Sequence, residues 1–308
     1  MKISITNPAK IQRKLRGFTL VELMISMTIT LVIISVLLSM TSVAVKGLKN
    51  SQNRTRTSRL SQEVLNTITK DLEGIVIRTG NNYEWVLSKN SSSSGNELGP
   101  DTTKEIKNPF ELSFFSAVTD RYNGQINVTG VDLGGDISMI RYQLIHQDQM
   151  EVGGEYPVFS LYRQRIDPKE TFEKCLSQPT LDGLALTETT GRQNYLAENI
   201  FDLTVSFNFE YRQADGSTGY ARIPLQTNGD YKSLSIKGNE ILVNGSPIPV
   251  PADASSPRLA SADVSLMVLT DKGMNGLEKA KIKNDKELSK YLLQNGKQYS
   301  KTVILPRP

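Results

Sequence analysis

Cysteine and histidine are nearly missing from this sequence, which removes the residues that most often form disulfide bonds and zinc sites. Its 308 residues contain one cysteine, Cys175, and one histidine, His146. A lone cysteine cannot form a disulfide bond within the chain, and these two residues cannot supply a four-ligand zinc site. We therefore expect no metal ion. We interpret Cys175 as a small, partly buried apolar residue, with a disulfide bond to another chain as the alternative.

The short motifs of common active sites are also absent. No Gly-x-Ser-x-Gly segment exists, so His146, at the end of a predicted strand, has no evident nucleophile to assist. The glycine pairs at 134–135 and 153–154 lack the spacing of phosphate-binding loops. We therefore predict that the protein is not an enzyme, and that it has no catalytic residue and no cofactor.

An excess of one charge is missing once the first seventeen residues are set aside. The sequence has 36 basic and 32 acidic residues, and residues 1–17 contain five of the basic residues and no acidic one. The remainder, with 31 basic against 32 acidic residues, has a formal charge of −1. A near-neutral remainder gives no reason to expect a nucleic-acid-binding domain, so nucleic acid is disfavoured as a partner.

One long apolar segment is present, and it contains a single charged residue. Residues 18–40 are free of charge except for Glu22. As a helix this segment would be about 35 Å long, enough to cross a lipid bilayer. A carboxylate costs about 2.5–3.5 kcal/mol at the centre of a bilayer and less near the interface, where Glu22 would lie. A partner that compensates this charge is therefore expected.

The residues around this glutamate form a recognisable motif, Gly-Phe-Thr-Leu-Val-Glu-Leu-Met, which begins at Gly17. Because the motif precedes an apolar segment, the chain resembles the type IV pilin superfamily, which includes pilus subunits and type II secretion pseudopilins. The resemblance implies that a prepilin peptidase cleaves between Gly17 and Phe18 and methylates the new amino group of Phe18. It also implies that Glu22 pairs with the N-terminal amine of a neighbouring subunit. The leader before the cleavage site is basic near its end, at Arg13, Lys14 and Arg16.

Cleavage before the apolar segment would keep that segment in the mature chain, unlike cleavage of an ordinary secretory signal. Basic residues lie on both sides of the segment, so charge alone does not decide its orientation. The resemblance implies a single-pass protein of the inner membrane, with a cytoplasmic N-terminus and a periplasmic head, which later joins a pilus or pseudopilus. The expected parts are a leader (1–17), a membrane or filament-core half of a long helix (18–40), an amphipathic second half (41–79) and a β-rich head (80–308).

The amphipathic half is indicated by apolar residues that recur every four positions. Leu60, Val64, Ile68 and Leu72 lie on one face of a helix with 3.6 residues per turn. We expect one long helix from residue 18 to about residue 78, with Gly47 as the candidate interruption. Five polar residues are expected to face solvent, namely Arg59, Glu63, Asn66, Lys70 and Asp71.

In the head, the apolar pattern changes to a period of two. Odd-numbered residues from 201 to 211 are apolar or aromatic and even-numbered ones are polar, which predicts a half-buried antiparallel strand. Residues 220–223 are its predicted hairpin partner. Further predicted elements are strands at 110–118, 137–145, 158–166 and 262–270, a hairpin at 236–243, a helix at 285–294, an exposed loop at 88–104 and a proline-rich connector at 247–257.

These elements predict an α+β fold, in which a long N-terminal hydrophobic helix packs on an antiparallel β-sheet head domain. Two sets of residues in that head are expected to have structural roles. Ion pairs are predicted for Arg141, Arg163 and Arg165. A place in the core under the helix is predicted for Tyr83, Trp85, Phe114 and Phe115.

Three segments, at residues 137–144, 159–165 and 196–207, also resemble successive strands of the J-type pseudopilins and W-type minor pilins. This second resemblance implies a minor subunit near the filament tip, with other minor pilins or pseudopilins as partners. A large head without an internal disulfide bond also argues against a major subunit. Because the tip-most pseudopilin commonly lacks the glutamate, Glu22 disfavours that position.

Other functions remain open at this point. The chain could be a binding module at a pilus tip, for DNA uptake or adhesion, or a membrane-anchored envelope protein that joins no filament. DNA capture would require a basic, aromatic surface on the head, which the near-neutral sequence does not indicate.

Overall fold

The computed structural model describes residues 17–89, 110–117, 137–147, 158–184, 191–225, 232–248, 250–251, 255–279 and 285–306. The chain divides into two compact units, Met1–Gln52 and Asn53–Pro308. The leader cations Arg13, Lys14 and Arg16 lie outside the described residues, as does most of the loop predicted at 88–104. The start of that predicted loop is wrong, because Ser88 is fully buried in a β-strand.

Helix α1 spans Leu20–Glu73 and continues through Gly47. In the first unit its large apolar side chains are 46–76% exposed. Within the described residues, α1 is the one helix long and apolar enough to cross a membrane, with a mean hydropathy of 2.4 over its most apolar window. Such a bare apolar surface needs lipid or other helices to cover it.

Helix α1 ends at Glu73, so the predicted extension to about residue 78 is wrong. Ile75 instead forms a β-bridge with Ser116, and the Val76 N–H donates to the Phe115 carbonyl at 2.8 Å. β-Branched residues disfavour a helix, and the neighbouring strand offers their backbone other partners. Gly74 permits this close approach, because a Cβ there would lie 2.8 Å from the Ser116 hydroxyl.

Within the described residues, the larger sheet has eight strands in the order β10–β9–β8–β1–β2–β3–β4–β5, and all neighbouring strands are antiparallel. The structure confirms the predicted strands at 110–118, 137–145 and 158–166 and the hairpin at 236–243, with shifts of one to three residues in the described ends. The strands are β1 Glu84–Lys89, β2 Phe110–Ser116, β3 Ser138–Gln147, β4 Val158–Arg165, β5 Tyr195–Glu198, β8 Ser233–Lys237, β9 Glu240–Val243 and β10 Ser246–Pro247.

The smaller sheet has four antiparallel strands in the order β12–β11–β6–β7. The alternating segment at 201–211 lies in β6 and pairs with β7, as predicted, with Glu210 opposite Tyr220. Strand β11 is longer than predicted, and β12 was not predicted. The strands are β6 Ile200–Arg212, β7 Thr218–Leu225, β11 Ser255–Leu269 and β12 Gly296–Ile304.

The proline-rich segment is only partly a connector, because strands occupy both of its ends. Pro247 lies in β10, the outermost strand of its sheet. Pro257 lies in β11, where the register to β6 shifts between Ser255 and Arg258 and where pairing with β12 has not yet begun. Both positions suit a residue that lacks a backbone N–H.

The remaining helices are short. The predicted helix at 285–294 is confirmed as α4, whereas α3 was not predicted. Their bounds are α2 Pro168–Glu170, which leads into a π-helical turn at Thr171–Cys175, a 3₁₀ turn at Arg192–Asn194, α3 Asp271–Lys279 and α4 Asp285–Asn295.

The main core lies between the second part of α1 and the two sheets. Val64, Ile68 and Leu72 of α1 are at most 1% exposed and belong to one apolar cluster with residues of both sheets. Of the predicted aromatic core residues, Trp85, Phe114 and Phe115 are buried, whereas Tyr83 is half-buried. The structure therefore confirms the α+β fold class, with a long helix packed on an antiparallel β-sheet head.

Candidate functional site

The N-terminus of α1 is held by a pair of residues that cap each other. The Glu22 Oε2 atom accepts hydrogen bonds from the Thr19 N–H at 2.9 Å and from the Thr19 hydroxyl at 3.0 Å. The Glu22 N–H donates to Thr19 Oγ1 at 3.3 Å. This reciprocal arrangement is a capping box, in which a threonine and a glutamate three residues apart satisfy the free N–H groups of a helix end.

The capping box leaves part of the Glu22 carboxylate unused. Both of its side-chain hydrogen bonds go to Oε2, so within the described part of the chain Oε1 keeps its capacity to accept. Glu22 itself was predicted as a functional residue, but Thr19 was not. The Thr-x-x-Glu spacing at 19–22 is the signal that could have identified it.

The predicted cleavage site lies just before this helix end. Residues 17–19 are outside regular secondary structure, and Phe18 is 86% exposed. A Cβ placed on Gly17 would meet no atom within 4 Å. The backbone between Gly17 and Phe18 is therefore exposed and lies outside any helix or strand.

A buried carboxylate joins α1 to the larger sheet. The Asp71 carboxylate accepts from Arg163 Nε at 2.6 Å and from Arg163 Nη2 at 2.7 Å, and the Tyr142 hydroxyl donates to it as well. Asp71 is 2% exposed, so the prediction that it faces solvent is wrong. It lies on the same helix stripe as Val64 and Ile68, where spacings of three and four residues could have indicated burial.

The ion pair of Asp71 shapes the titration of its neighbours. Burial foremost, and then the negative charge of Asp71, raise the pKa of Tyr142 well above its usual value. Tyr142 therefore stays protonated and keeps donating its hydroxyl hydrogen to Asp71. The prediction of a structural ion pair at Arg163 is confirmed.

The opposite face of the same strands carries a second ionic cluster. Arg141 donates from Nε and Nη2 to Glu111 Oε1, at 2.9 and 2.6 Å. Lys89 lies 3.9 Å from Glu111 and also pairs with Asp182. The predicted ion pair at Arg141 is therefore confirmed, and an ion pair at Arg165 stays a prediction.

The rare residues of the chain do not build a reactive centre in the described structure. Cys175 is 0% exposed, and burial raises the pKa of its thiol to about 11, so it is an unreactive core residue. It was predicted to be partly buried, and the structure buries it completely. His146 lies in β3, but its side chain is outside the described structure. Among the described residues, no three His, Cys, Asp or Glu side chains lie close enough together to hold a metal ion.

Comparison with known families found a relationship at the N-terminus. Residues 12–41 match the family model for the prokaryotic N-terminal methylation motif. No curated protein and no solved structure matched the chain. The matched segment contains Gly17, Phe18 and Glu22 and the first part of α1. The motif marks structural rather than catalytic proteins, and together with the bare apolar helix it supports a single-pass, membrane-anchored protein of the type IV pilin-like superfamily.

Proposed function

We propose that the protein is a minor pilin or pseudopilin subunit. It is inserted in the inner membrane, processed by a prepilin peptidase, and assembled near the tip of a type IV pilus or a type II secretion pseudopilus. The observation that carries this proposal is the methylation motif at residues 12–41, which includes the start of an apolar helix that no described residue of its own unit covers.

Processing is proposed to occur between Gly17 and Phe18, with methylation of the new amino group on Phe18. The exposed, non-helical backbone at this point supports such a reaction. The basic leader, with Arg13, Lys14 and Arg16, would remain on the cytoplasmic side, and the head would lie in the periplasm.

Glu22 is proposed to pair with the N-terminal amine of Phe18 in a neighbouring subunit. A carboxylate and an ammonium group that meet in an apolar helix bundle neutralise each other, which removes the penalty of leaving either charge alone there. The unused Oε1 atom of Glu22 supports this role, because the carboxylate can accept from a second chain while Oε2 still caps α1. The pairing would fix the axial position of one subunit against the next.

The choice of a minor subunit near the tip rests on the head. The segments that resemble the J-type and W-type group lie in β3, β4 and the β5–β6 region, which are antiparallel strands of the two sheets. The burial of the lone Cys175 is also consistent with a head that has no internal disulfide bond. Other minor pilins or pseudopilins are the partners that this role requires.

Intact-mass spectrometry of the protein from membranes, with and without the prepilin peptidase, tests the proposal. We expect a mature chain that begins with N-methylated Phe18, and loss of this species without the peptidase. The Gly17→Val variant should block cleavage, because a branched side chain would stand at the cut bond. Gly47→Ala is the matched control, because Gly47 lies within α1 with open space around it.

A chain that keeps its leader in the presence of the peptidase would contradict the proposal. The second candidate function, a membrane-anchored envelope protein that joins no filament, would then explain the apolar helix. The exposed apolar surface of α1 supports an anchor under either proposal.

A further inference from the structure

In the part of the chain that the structure describes, the two sheets have four edge strands, and three of them are short or interrupted. Strand β10 has two residues and includes Pro247, and β5 has four residues. Strand β7 contains Pro224, which has no N–H to offer. Strand β12 differs, because its nine residues contain no proline and pair with β11 in one unbroken register. Long, regular edges of this kind are templates for an additional strand.

The hydrogen-bond pattern shows which residues of β12 face outward. The Leu305 N–H donates to the Ala260 carbonyl at 3.0 Å, in line with the register of the β11–β12 pair. Because hydrogen-bonded positions alternate along an antiparallel pair, odd-numbered residues of β12 bond to β11. Even-numbered residues therefore direct their N–H and C=O groups away from the sheet. These outward residues are Gln298, Ser300, Thr302 and Ile304.

The exposed edge runs beside the polar face of α1. Lys301 Nζ donates to Asn66 Oδ1 of α1 at 2.9 Å, so the odd-numbered side chains of β12 lie on the helix side of the sheet. Even-numbered side chains lie on the other side, where Gln298 bonds to Ser265 at 2.8 Å. A strand added at this edge would thus be contacted by the β12 backbone along its length and by the α1 surface near Asn66.

Both charged residues within β12 are positive. No acidic residue occurs from Gly296 to Ile304, and the exposed Lys297 and Lys301 lie on the same face of β12. If a second copy of the chain paired through β12, four lysines would meet on one face, which is unfavourable. A strand with carboxylates on that face would instead pair with the lysines.

We propose that the edge of β12, which is unpaired among the described residues, binds an extended, acidic segment of a partner protein as a fifth strand of the smaller sheet. The outward N–H and C=O groups of the even-numbered residues form the hydrogen bonds to the added strand. Lys297 and Lys301 favour acidic side chains in that strand. This site belongs to the head alone, so it does not depend on cleavage at Gly17 or on the pairing of Glu22.

Fluorescence anisotropy with the full chain in detergent tests this site. The probes are two labelled nine-residue peptides, one alternating Thr and Glu and the other alternating Thr and Lys. We expect saturable binding of the Thr–Glu peptide and at least about tenfold weaker binding of the Thr–Lys peptide. Ser300→Pro should lower the affinity for the Thr–Glu peptide by about tenfold or more, because it removes one outward N–H. Ser300→Ala, which keeps that N–H, should bind as the original chain does.

Hydrogen exchange of the unsubstituted chain gives a readout that does not depend on the folding of a variant. The bound Thr–Glu peptide should slow exchange of the Ser300 and Thr302 amides, while the inward Lys301 amide stays protected throughout. Absence of binding, equal binding of both peptides, or protection at another strand would overturn the proposal. So would a concentration-dependent dimer that Ser300→Pro abolishes, because the occupant would then be a second copy.

Discussion

Two carboxylates of helix α1, Glu22 and Asp71, differ in where their hydrogen-bond partners lie in the sequence. Both described hydrogen bonds of the Glu22 side chain go to Thr19, three residues away. Asp71 instead contacts Tyr142 and Arg163, which are 71 and 92 residues away in sequence, and both of its oxygens are used. The buried charge of Asp71 is thus neutralised within the head. The Glu22 carboxylate, at the N-terminal end of α1, can still accept a hydrogen bond from another molecule.

The apolar side chains of the two parts of α1 also differ, because those of the first part are exposed and those of the second part are buried. From Leu20 to Leu48 the large apolar side chains are at least 46% exposed, whereas Val64, Ile68 and Leu72 are almost completely buried. Burying an apolar side chain of this size contributes about 1.5–3 kcal/mol. The second part of α1 therefore helps to stabilise the fold, and the first part keeps its apolar surface for a membrane or a neighbouring subunit.

The largest effect is expected from Asp71→Ala. The substitution leaves the Arg163 guanidinium in the core without its counter-ion, which should lower the free energy of unfolding by about 3–5 kcal/mol. Chemical unfolding of the full chain in detergent can follow the fluorescence of Trp85, the single tryptophan, which is 3% exposed. Glu63→Ala, at an exposed position of the same helix, is the control and should change stability by less than about 0.5 kcal/mol.

A double substitution sharpens this prediction. Asp71→Leu with Arg163→Met replaces the ion pair by apolar groups, and we expect it to recover most of the stability lost in Asp71→Ala. Equal stability of Asp71→Ala and the unsubstituted chain would show that the ion pair does not hold α1 to the sheet.

The next effect is expected from Ile68→Ala, which removes a side chain that is 0% exposed. The cavity and the lost apolar contacts should lower the free energy of unfolding by about 2–5 kcal/mol. Ile29→Ala makes the same chemical change at a side chain that is 55% exposed. Unfolding of the head, measured by Trp85 fluorescence, should not respond to Ile29→Ala. A similar loss of unfolding free energy in both variants would contradict the conclusion that only the second part of α1 stabilises the head.

An assembly effect is expected from Glu22→Ala and Glu22→Gln. Under the proposed function, either variant should insert in the membrane normally but enter filaments at about a tenth of the normal level or less, a change of about 1.4 kcal/mol or more. Glutamine can still accept from Thr19, so Glu22→Gln separates the charge from the helix cap. Quantitative immunoblotting of membranes and sheared filaments measures both steps. Normal incorporation of Glu22→Gln would show that the cap, and not the charge, is needed.

The smallest effect is expected from Arg56→Ala. Arg56 lies 3.0 Å from Glu198 and 3.7 Å from Asp271, but its side chain is 69% exposed. Solvent weakens such pairs, so the free energy of unfolding should fall by less than about 1 kcal/mol. A loss as large as that of Asp71→Ala would mean that exposed pairs, too, attach α1 to the head.

Sequence reasoning worked where the signal was local. The motif around Glu22 is contiguous, and the alternation in β6 and the four-residue spacing of Val64, Ile68 and Leu72 directly reflect burial on one face. These patterns were sufficient for the α+β class and for most strands.

The remaining features depend on residues that are distant in sequence. Asp71 reads as a polar surface residue until Arg163 is known to lie opposite it. The end of α1 is set by hydrogen bonds to β2, and the free edge of β12 follows from the order of the strands. No local pattern specifies such pairings, because they arise only when the sheets assemble.

The position of β1 between β2 and β8 also sets the order in which the head can fold. Strand β8 begins at Ser233, and the Trp85 indole N–H bonds to the Gly238 carbonyl across 153 residues. At a synthesis rate of about 5–20 residues per second, β8 is therefore synthesised roughly 7–30 s after β1. During that time one side of β1 is an open edge on a growing chain. Burial of Trp85 therefore reports that β8 has joined β1, not that the head has begun to fold.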